Sequence, residues 1–270
     1  MSWPIEGAVW FAGCGNMGGA ILSRWLECGL DPARVTVIDP APASLPGVRW
    51  VAAPPQGEAA PALFVLGIKP QMLDDALPAY AGAVNEQTIL LSMLAGVELG
   101  QLRKRFPQAG AIVRAMPNLA ARLGKGVTGL MMDGGHDAAH AAVDAAMHQL
   151  GLAEWLTEED QFHALTAVSG SGPAFLYRFV AALAKSGTAL GLPEDQAMRL
   201  AKGMAEGAAA LVAQSPDHPD DLAARVTSKG GTTAEGLAVL DHDSAMDALI
   251  AATLEATARR SRELADAAKG

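Results

Sequence analysis

Ala8-Val9-Trp10-Phe11-Ala12-Gly13-Cys14-Gly15-Asn16-Met17-Gly18 is the stretch that decides the fold. Five apolar residues in a row suit a strand buried on both faces, and the G-x-G-x-x-G pattern that follows opens a helical segment carrying Ile21, Leu22 and Trp25. Gly13 permits a tight turn, Gly15 lets a backbone come close to an anion, and Gly18 allows the helix to pack tightly. The helix start then offers free N–H groups to a pyrophosphate, with Cys14, Asn16 and Met17 completing the loop as candidate cofactor contacts. Asp39 ends the next apolar run, where an acidic residue accepts hydrogen bonds from ribose hydroxyls and repels a 2′-phosphate. Standing before Pro40, it is also placed to initiate a turn.

Working outward, the runs Val35 to Ile38, Leu63 to Ile68, Ile89 to Leu91 and Ala111 to Val113 repeat the strand pattern, with helical segments between them. The expected class is α/β: a Rossmann-type, doubly wound parallel sheet over residues 1–157. Lys69-Pro70 follows one strand and Ala95-Gly96 follows the next, so both stand at the carboxyl edge of the sheet, where such folds bind ligands. The small residues Ala95 and Gly96 would let a flat nicotinamide ring approach the backbone, and Gly96 serves a turn equally well. Lys69 on the plainest reading is an exposed loop lysine.

From about residue 158 the β-type runs stop, and residues 158–270 are expected to form an all-α domain. Between Glu194 and Gln214, Ala197, Leu200, Ala201, Met204, Ala205, Ala208, Leu211 and Val212 make one broad apolar face. The segment Phe175 to Leu183 is apolar almost all round and calls for a second protomer to cover it, hence a homodimer with room for a higher oligomer. The last helix is expected to start near Asp243 or Ser244 and to end with Arg259, Arg260 and Arg262 against its negative pole. Two small-residue loops, Ser169-Gly170-Ser171-Gly172-Pro173 and Ser228-Lys229-Gly230-Gly231-Thr232-Thr233, each precede a helix and present N–H groups suited to a carboxylate or carboxamide. Ordinary capping explains either loop taken singly.

Composition narrows the classes. Of 270 residues, 50% are hydrophobic and 18% charged, and the formal net charge of −9 opposes binding to nucleic acid or anionic membrane, so neither partner is expected. Cys14 and Cys28 make no disulfide framework and the six histidines have no metal-ligand spacing, so no metal is expected. The start of the chain lacks the charged and apolar pattern of a signal peptide, and a cytoplasmic location is the expectation.

The glycine loop, Lys69-Pro70, Arg114-Ala115-Met116-Pro117-Asn118, Ser169 to Pro173 and Ser228 to Thr233 resemble, in order and spacing, the pyrroline-5-carboxylate reductases, from about residue 7 to residue 265. The resemblance implies a cofactor, NADPH or NADH, held by the N-terminal domain, and a helical domain that interlocks with a second protomer so that the active site lies between subunits. It implies that Gly13 to Gly18 bind the pyrophosphate and that Lys69, Pro70, Ala95, Gly96 and Asn118 lie on the cofactor side. Ser171, Ser228, Gly230, Gly231 and Thr232 then hold the substrate 1-pyrroline-5-carboxylate. Thr233 sets its hydroxyl near the imine nitrogen, and Thr233 and Lys69 take the catalytic places.

Two departures stand out. Lys229 replaces the proline common in the family, and Asp39-Pro40-Ala41-Pro42, with Ala53-Pro54-Pro55 further on, lacks the small polar or basic groups of members that favour NADPH. NADH is therefore expected to serve at least as well. Two rival readings are a hydroxyacid-dehydrogenase or imine-reductase relative, and a noncatalytic dinucleotide-binding regulator. The first needs a catalytic lysine on a helix, for which Lys185 and Lys202 are poor candidates, and the second has no use for both helix-start loops.

Overall fold

Alternate residues of each apolar run face opposite sides of one sheet, which is how a continuous run fills two cores at once. The computed structural model describes residues 3–41 and 45–267, so Pro42 in the stretch after Asp39 lies outside the described residues. Its strands are β1 (Val9–Ala12), β2 (Val35–Ile38), β3 (Arg49–Val51), β4 (Leu63–Leu66), β5 (Ile89–Ser92), β6 (Ala111–Pro117), β7 (Gly126–Gly134) and β8 (Gly151–Trp155). They lie in the order β3-β2-β1-β4-β5-β6-β7-β8. Neighbours run parallel except β6 and β7, which are antiparallel.

The helices are α1 (Asn16–Glu27), α2 (Leu73–Tyr80), α3 (Leu99–Arg105), α4 (Asp137–His148), α5 (Gln161–Leu165), α6 (Gly172–Ala189), α7 (Glu194–Gln214), α8 (Pro219–Arg225), α9 (Thr232–Leu240) and α10 (Ala245–Ala267). Val9, Phe11, Val37, Val65 and Val113 join a core with Ile21, Leu22 and Trp25 of α1 and Val143 of α4. Trp10, Phe64, Leu66 and Ile112 join the opposite core with Leu73, Tyr80 and Leu102. Trp25 is fully buried, meets Trp3 and Phe11 edge to face, and donates its Nε1 hydrogen to Ala146 O at 2.9 Å, locking α1 to α4.

The chain divides into two compact units, residues 1–170 with 257–270, and residues 171–256. The boundary read from the sequence, 157/158, stands before α5, and the contact division stands after it. In the second unit α6 packs on α7, a Cβ at Gly187 lying 3.5 Å from that of Ala197. Of the α7 face expected to be apolar and covered, Ala197 and Ala201 are buried, while Leu200, Met204, Leu211 and Val212 are exposed in the single chain.

Four local readings need correction. Strands β3, β7 and β8 are absent from the sequence reading: β3 is a three-residue edge, β7 opens on Gly126 and carries Gly129, and β8 opens on Gly151. The Ser169 to Pro173 segment is no free loop, because Thr166–Gly170 forms a π-helical turn running from α5 toward α6. The second small-residue loop, read as running through Thr233 before its helix, ends earlier, since α9 begins at Thr232. The last helix does not end at its arginines; α10 continues through Glu263, Leu264, Ala265 and Asp266, good formers or tolerated residues with no glycine or proline to stop it, to Ala267.

Candidate active site

The sheet has its switch point at β1, which pairs with β2 on one side and β4 on the other, and the glycine loop sits at that point. Gly13 has φ +82°, and a Cβ there would lie 3.0 Å from the Gly67 carbonyl, so the loops after β1 and β4 touch. A Cβ at Gly18 would lie 3.0 Å from Gly13 O, which explains the close turn into α1. Beside Gly15 the space is open. Gly15 caps α1 without a side-chain hydrogen bond, and the first turn carries no acid, so the N–H groups of the helix start face outward uncapped. That is the room and polarity a phosphate requires, and the residues present fit a dinucleotide's pyrophosphate.

Asp39 is half-buried at the end of β2. Its Oδ2 accepts the Cys14 N–H at 2.9 Å and its Oδ1 accepts the Ala41 N–H at 2.9 Å. Burial, and then the Asp39 charge, push the Cys14 thiol up to about 11. A cavity of about 600 Å³ opens beside this loop, lined among others by Cys14, Gly15, Asn16, Trp50 and Arg122. Sequence reading passed over Arg122, since a single arginine in a short turn carries no pattern.

Lys69 is exposed and starts the 3-10 turn Pro70–Met72, its carbonyl accepting the Met72 N–H at 2.9 Å. Gly96 has φ +77°, and a Cβ on it would lie 3.3 Å from Ala265 Cα. Its lack of a side chain thus serves a left-handed turn and the approach of the end of α10. Pro70, Ala95, Val97, Arg105 and Leu264 line a second cavity, of about 530 Å³.

Asn118 is buried and heavily used. Its Oδ1 accepts from Ala120 N at 3.2 Å and Val127 N at 3.3 Å, and its Nδ2 donates to Ser169 O at 3.0 Å. Pro173 has no N–H to give to the carbonyl four residues back, and Asn118 supplies that missing donor. The π turn is held further by the Thr166 hydroxyl on Phe162 O at 2.7 Å and the Ser169 hydroxyl on Leu165 O at 2.9 Å. Ser171 is half-buried at the start of α6.

In the second unit, Ser228 to Gly231 form a turn closed by Gly231 N on Ser228 O at 2.9 Å, with Gly230 at φ +68°. This is type II geometry. A Cβ at Gly231 would collide with Ser228 Oγ. Gly231 caps α9 with no side-chain bond, and Thr232 and Thr233 stand exposed in its first turn. Lys229 is exposed at the tip.

A polar cluster not anticipated as a unit lies around β6 and α5. Arg114 is buried, pairs with Glu159 and places its guanidinium 4.0 Å from the centre of the Phe162 ring. Glu159 Oε1 accepts the Leu99 N–H at 2.7 Å, holding the start of α3. His163 Nδ1 bonds Ser261 Oγ at 2.9 Å. Among the described residues no group of three or more His, Cys, Asp or Glu is arranged to hold a metal, and no helix is long and apolar enough to cross a membrane.

A doubly wound sheet with an uncapped glycine loop at its switch point, followed by a helical unit, defines a dinucleotide-binding protein of the Rossmann class. Residues 8–96 match the family model described as NADP oxidoreductase, coenzyme F420-dependent, and residues 159–264 match the one described as pyrroline-5-carboxylate reductase dimerisation. The chain belongs to the pyrroline-5-carboxylate reductase family. It is 32% identical over 263 residues to the pyrroline-5-carboxylate reductase of Pseudomonas aeruginosa, covering 95% of this chain and 96% of that one. It is 36% identical over 263 residues to that of Synechocystis sp., covering 93% and 96%. The solved pyrroline-5-carboxylate reductase of Coxiella burnetii superposes with a TM-score of 0.87 at 29% identity, covering 96% of this chain and 98% of that one.

Proposed function

We propose that this chain reduces the C=N bond of 1-pyrroline-5-carboxylate with a reduced nicotinamide dinucleotide, giving L-proline as the last step of that amino acid's synthesis. One observation carries the reading: relatives named for this reaction match the chain over more than nine-tenths of its length, both units included. The dinucleotide, when bound, supplies the hydride, and the protein supplies orientation and electrostatics. Residues 1–157 hold the cofactor, and residues 158–270 hold the substrate and the dimer contact.

Gly13, Cys14, Gly15, Asn16, Met17 and Gly18 form the loop around the pyrophosphate: the N–H groups of Gly13 and Cys14 are spent on Ile38 O and Asp39, shaping the turn, and the uncapped N–H groups at the start of α1 face the anion. Asp39 faces the adenosine ribose, so NADH serves at least as well as NADPH. Lys69, Pro70, Ala95 and the Gly96 backbone flank the nicotinamide, with Asn118 bracing the segment behind it. The uncapped start of α9, with Ser228, Gly230, Gly231 and Thr232, holds the substrate carboxylate, and Ser171 adds a hydroxyl. Thr233 places its hydroxyl at the imine nitrogen.

The protein works as a homodimer through its helical half, a reading supported by the matched dimerisation model and by exposed Leu176, Phe179 and Leu183 on α6. Two free cysteines and the net charge of −9 support a cytoplasmic enzyme without nucleic-acid or membrane partners. The test is nicotinamide oxidation with pyrroline-5-carboxylate against a panel of other imino and keto acids. Turnover of a keto acid with none of pyrroline-5-carboxylate defeats the reading.

A further inference from the structure

The cavity beside the glycine loop has two walls of different chemistry. Cys14, Gly15 and Asn16 bring the uncapped start of α1 to one, and Leu119 and Arg122 form part of another. Among the residues that line it, Arg122 alone carries a charge. It is exposed, and it has no carboxylate partner among the described residues.

The turn that presents it is firmly built. Arg122 belongs to the 3-10 turn Leu119–Leu123 after β6. Asn118 Oδ1 fixes its start, and Gly124, at φ +65°, closes its end with an N–H on Ala121 O at 3.0 Å. Arg24 of α1 packs so close to Gly124 that a Cβ there would lie 2.8 Å from its guanidinium. The turn is thus seated against α1 itself, with its arginine left free.

Charge explains why such a cation belongs there. The loop's own Cys14 N–H is occupied by the Asp39 carboxylate, which sets a negative charge against any incoming phosphate, in a chain whose net charge is −9. An anion with two phosphates is held at a helix start more firmly when a guanidinium faces it. We propose that Arg122 binds the diphosphate of the dinucleotide, the part NADH and NADPH share, across the mouth of the glycine loop. The 2′-phosphate is the less suitable partner: ribose hydroxyls sit at the end of β2 in this fold class, and β6, which leads to Arg122, lies on the other side of β1. The proposal rests on the dinucleotide-binding reading above.

Binding, and not turnover, tests it. Dissociation constants for NADH, NADPH and ADP-ribose are measured by calorimetry with wild type, Arg122→Gln and Arg122→Lys, circular dichroism confirming the fold of each. Arg122→Gln is expected to weaken all three ligands by a common factor of about fivefold to tenfold, with the gap closing at high salt. Arg122→Lys is expected to recover part of the loss. Unchanged constants in Arg122→Gln overturn the proposal, and so does a loss confined to NADPH, which assigns the side chain to the 2′-phosphate. If wild type binds none of the three, the dinucleotide reading itself fails and this proposal falls with it.

Discussion

The Asp39 carboxylate accepts the backbone N–H of Cys14, 25 residues away in sequence, at 2.9 Å, tying the end of β2 to the glycine loop. One consequence is chemical. Burial and the neighbouring Asp39 charge both disfavour the Cys14 thiolate, whose pKa is raised to about 11. Alkylation of Cys14, followed by mass spectrometry of its peptide, is expected to be slow at pH 8 and to climb with pH toward that value. Asp39→Asn removes the charge and shifts the climb to lower pH. A wild-type midpoint below pH 9 contradicts this account.

The proposed cofactor choice rests on the same carboxylate. Each Asp39 oxygen holds one backbone N–H and keeps lone-pair capacity for a ribose hydroxyl, while the negative charge opposes a 2′-phosphate. Wild type is expected to show kcat/KM with NADH at least equal to that with NADPH, and Asp39→Ser to move the ratio toward NADPH by about tenfold, or about 1.4 kcal/mol. A strong wild-type preference for NADPH refutes the role given to Asp39.

Thr233 separates chemistry from folding. Its exposed hydroxyl stands in the first turn of α9, whose cap makes no side-chain bond. Thr233→Ala is expected to leave thermal stability nearly unchanged and to lower kcat/KM roughly 10- to 150-fold, the worth of a hydrogen bond to a charged group. Thr233→Ser should restore much of it. Wild-type efficiency in Thr233→Ala moves the substrate away from this loop.

Lys229 occupies the second position of a type II turn, where proline's fixed φ is favoured, and its N–H makes no backbone hydrogen bond among the described residues. Lys229→Pro is expected to stabilise the protein by about 0.4–1 kcal/mol through the unfolded chain. Denaturant melts of both proteins check it, and a lower midpoint in the proline variant counts against the turn assignment.

His163 gives the fold an acid-sensitive point. Burial, then Arg262 and Arg114, hold its pKa below 6.5, against smaller opposing effects of Asp160 and Glu98. The unfolded chain therefore binds a proton more readily, and stability is lost as pH falls through 6.5 toward the depressed value. The urea midpoint is expected to drop between pH 7 and pH 5 in wild type, and to drop less in His163→Asn. Equal drops would remove His163 from the explanation.

Local order made much of this readable in the sequence. Strands β1, β2, β4, β5 and the first part of β6, Ala111 to Val113, are largely apolar because both faces of each are covered, and α7 matches its periodic stretch residue for residue. The edge strand β3 and the glycine-containing β7 and β8 escaped notice because their pairing partners, more than their own residues, make them strands. At the candidate site, the glycine loop and the α9 turn were legible because glycine spacing encodes backbone shape directly.

Sequence alone therefore determined the class of fold, the glycine-rich turn after β1 and the helical second half, each set by side chains within a few residues of one another. Tertiary structure alone decided that Asp39 would hold Cys14, that Asn118 would satisfy the Ser169 carbonyl 51 positions away, that Ala265 would fill the space beside Gly96, and that Arg122 would line the glycine loop's cavity. Those relationships depend on how separate segments pack, and no local periodicity carries that information.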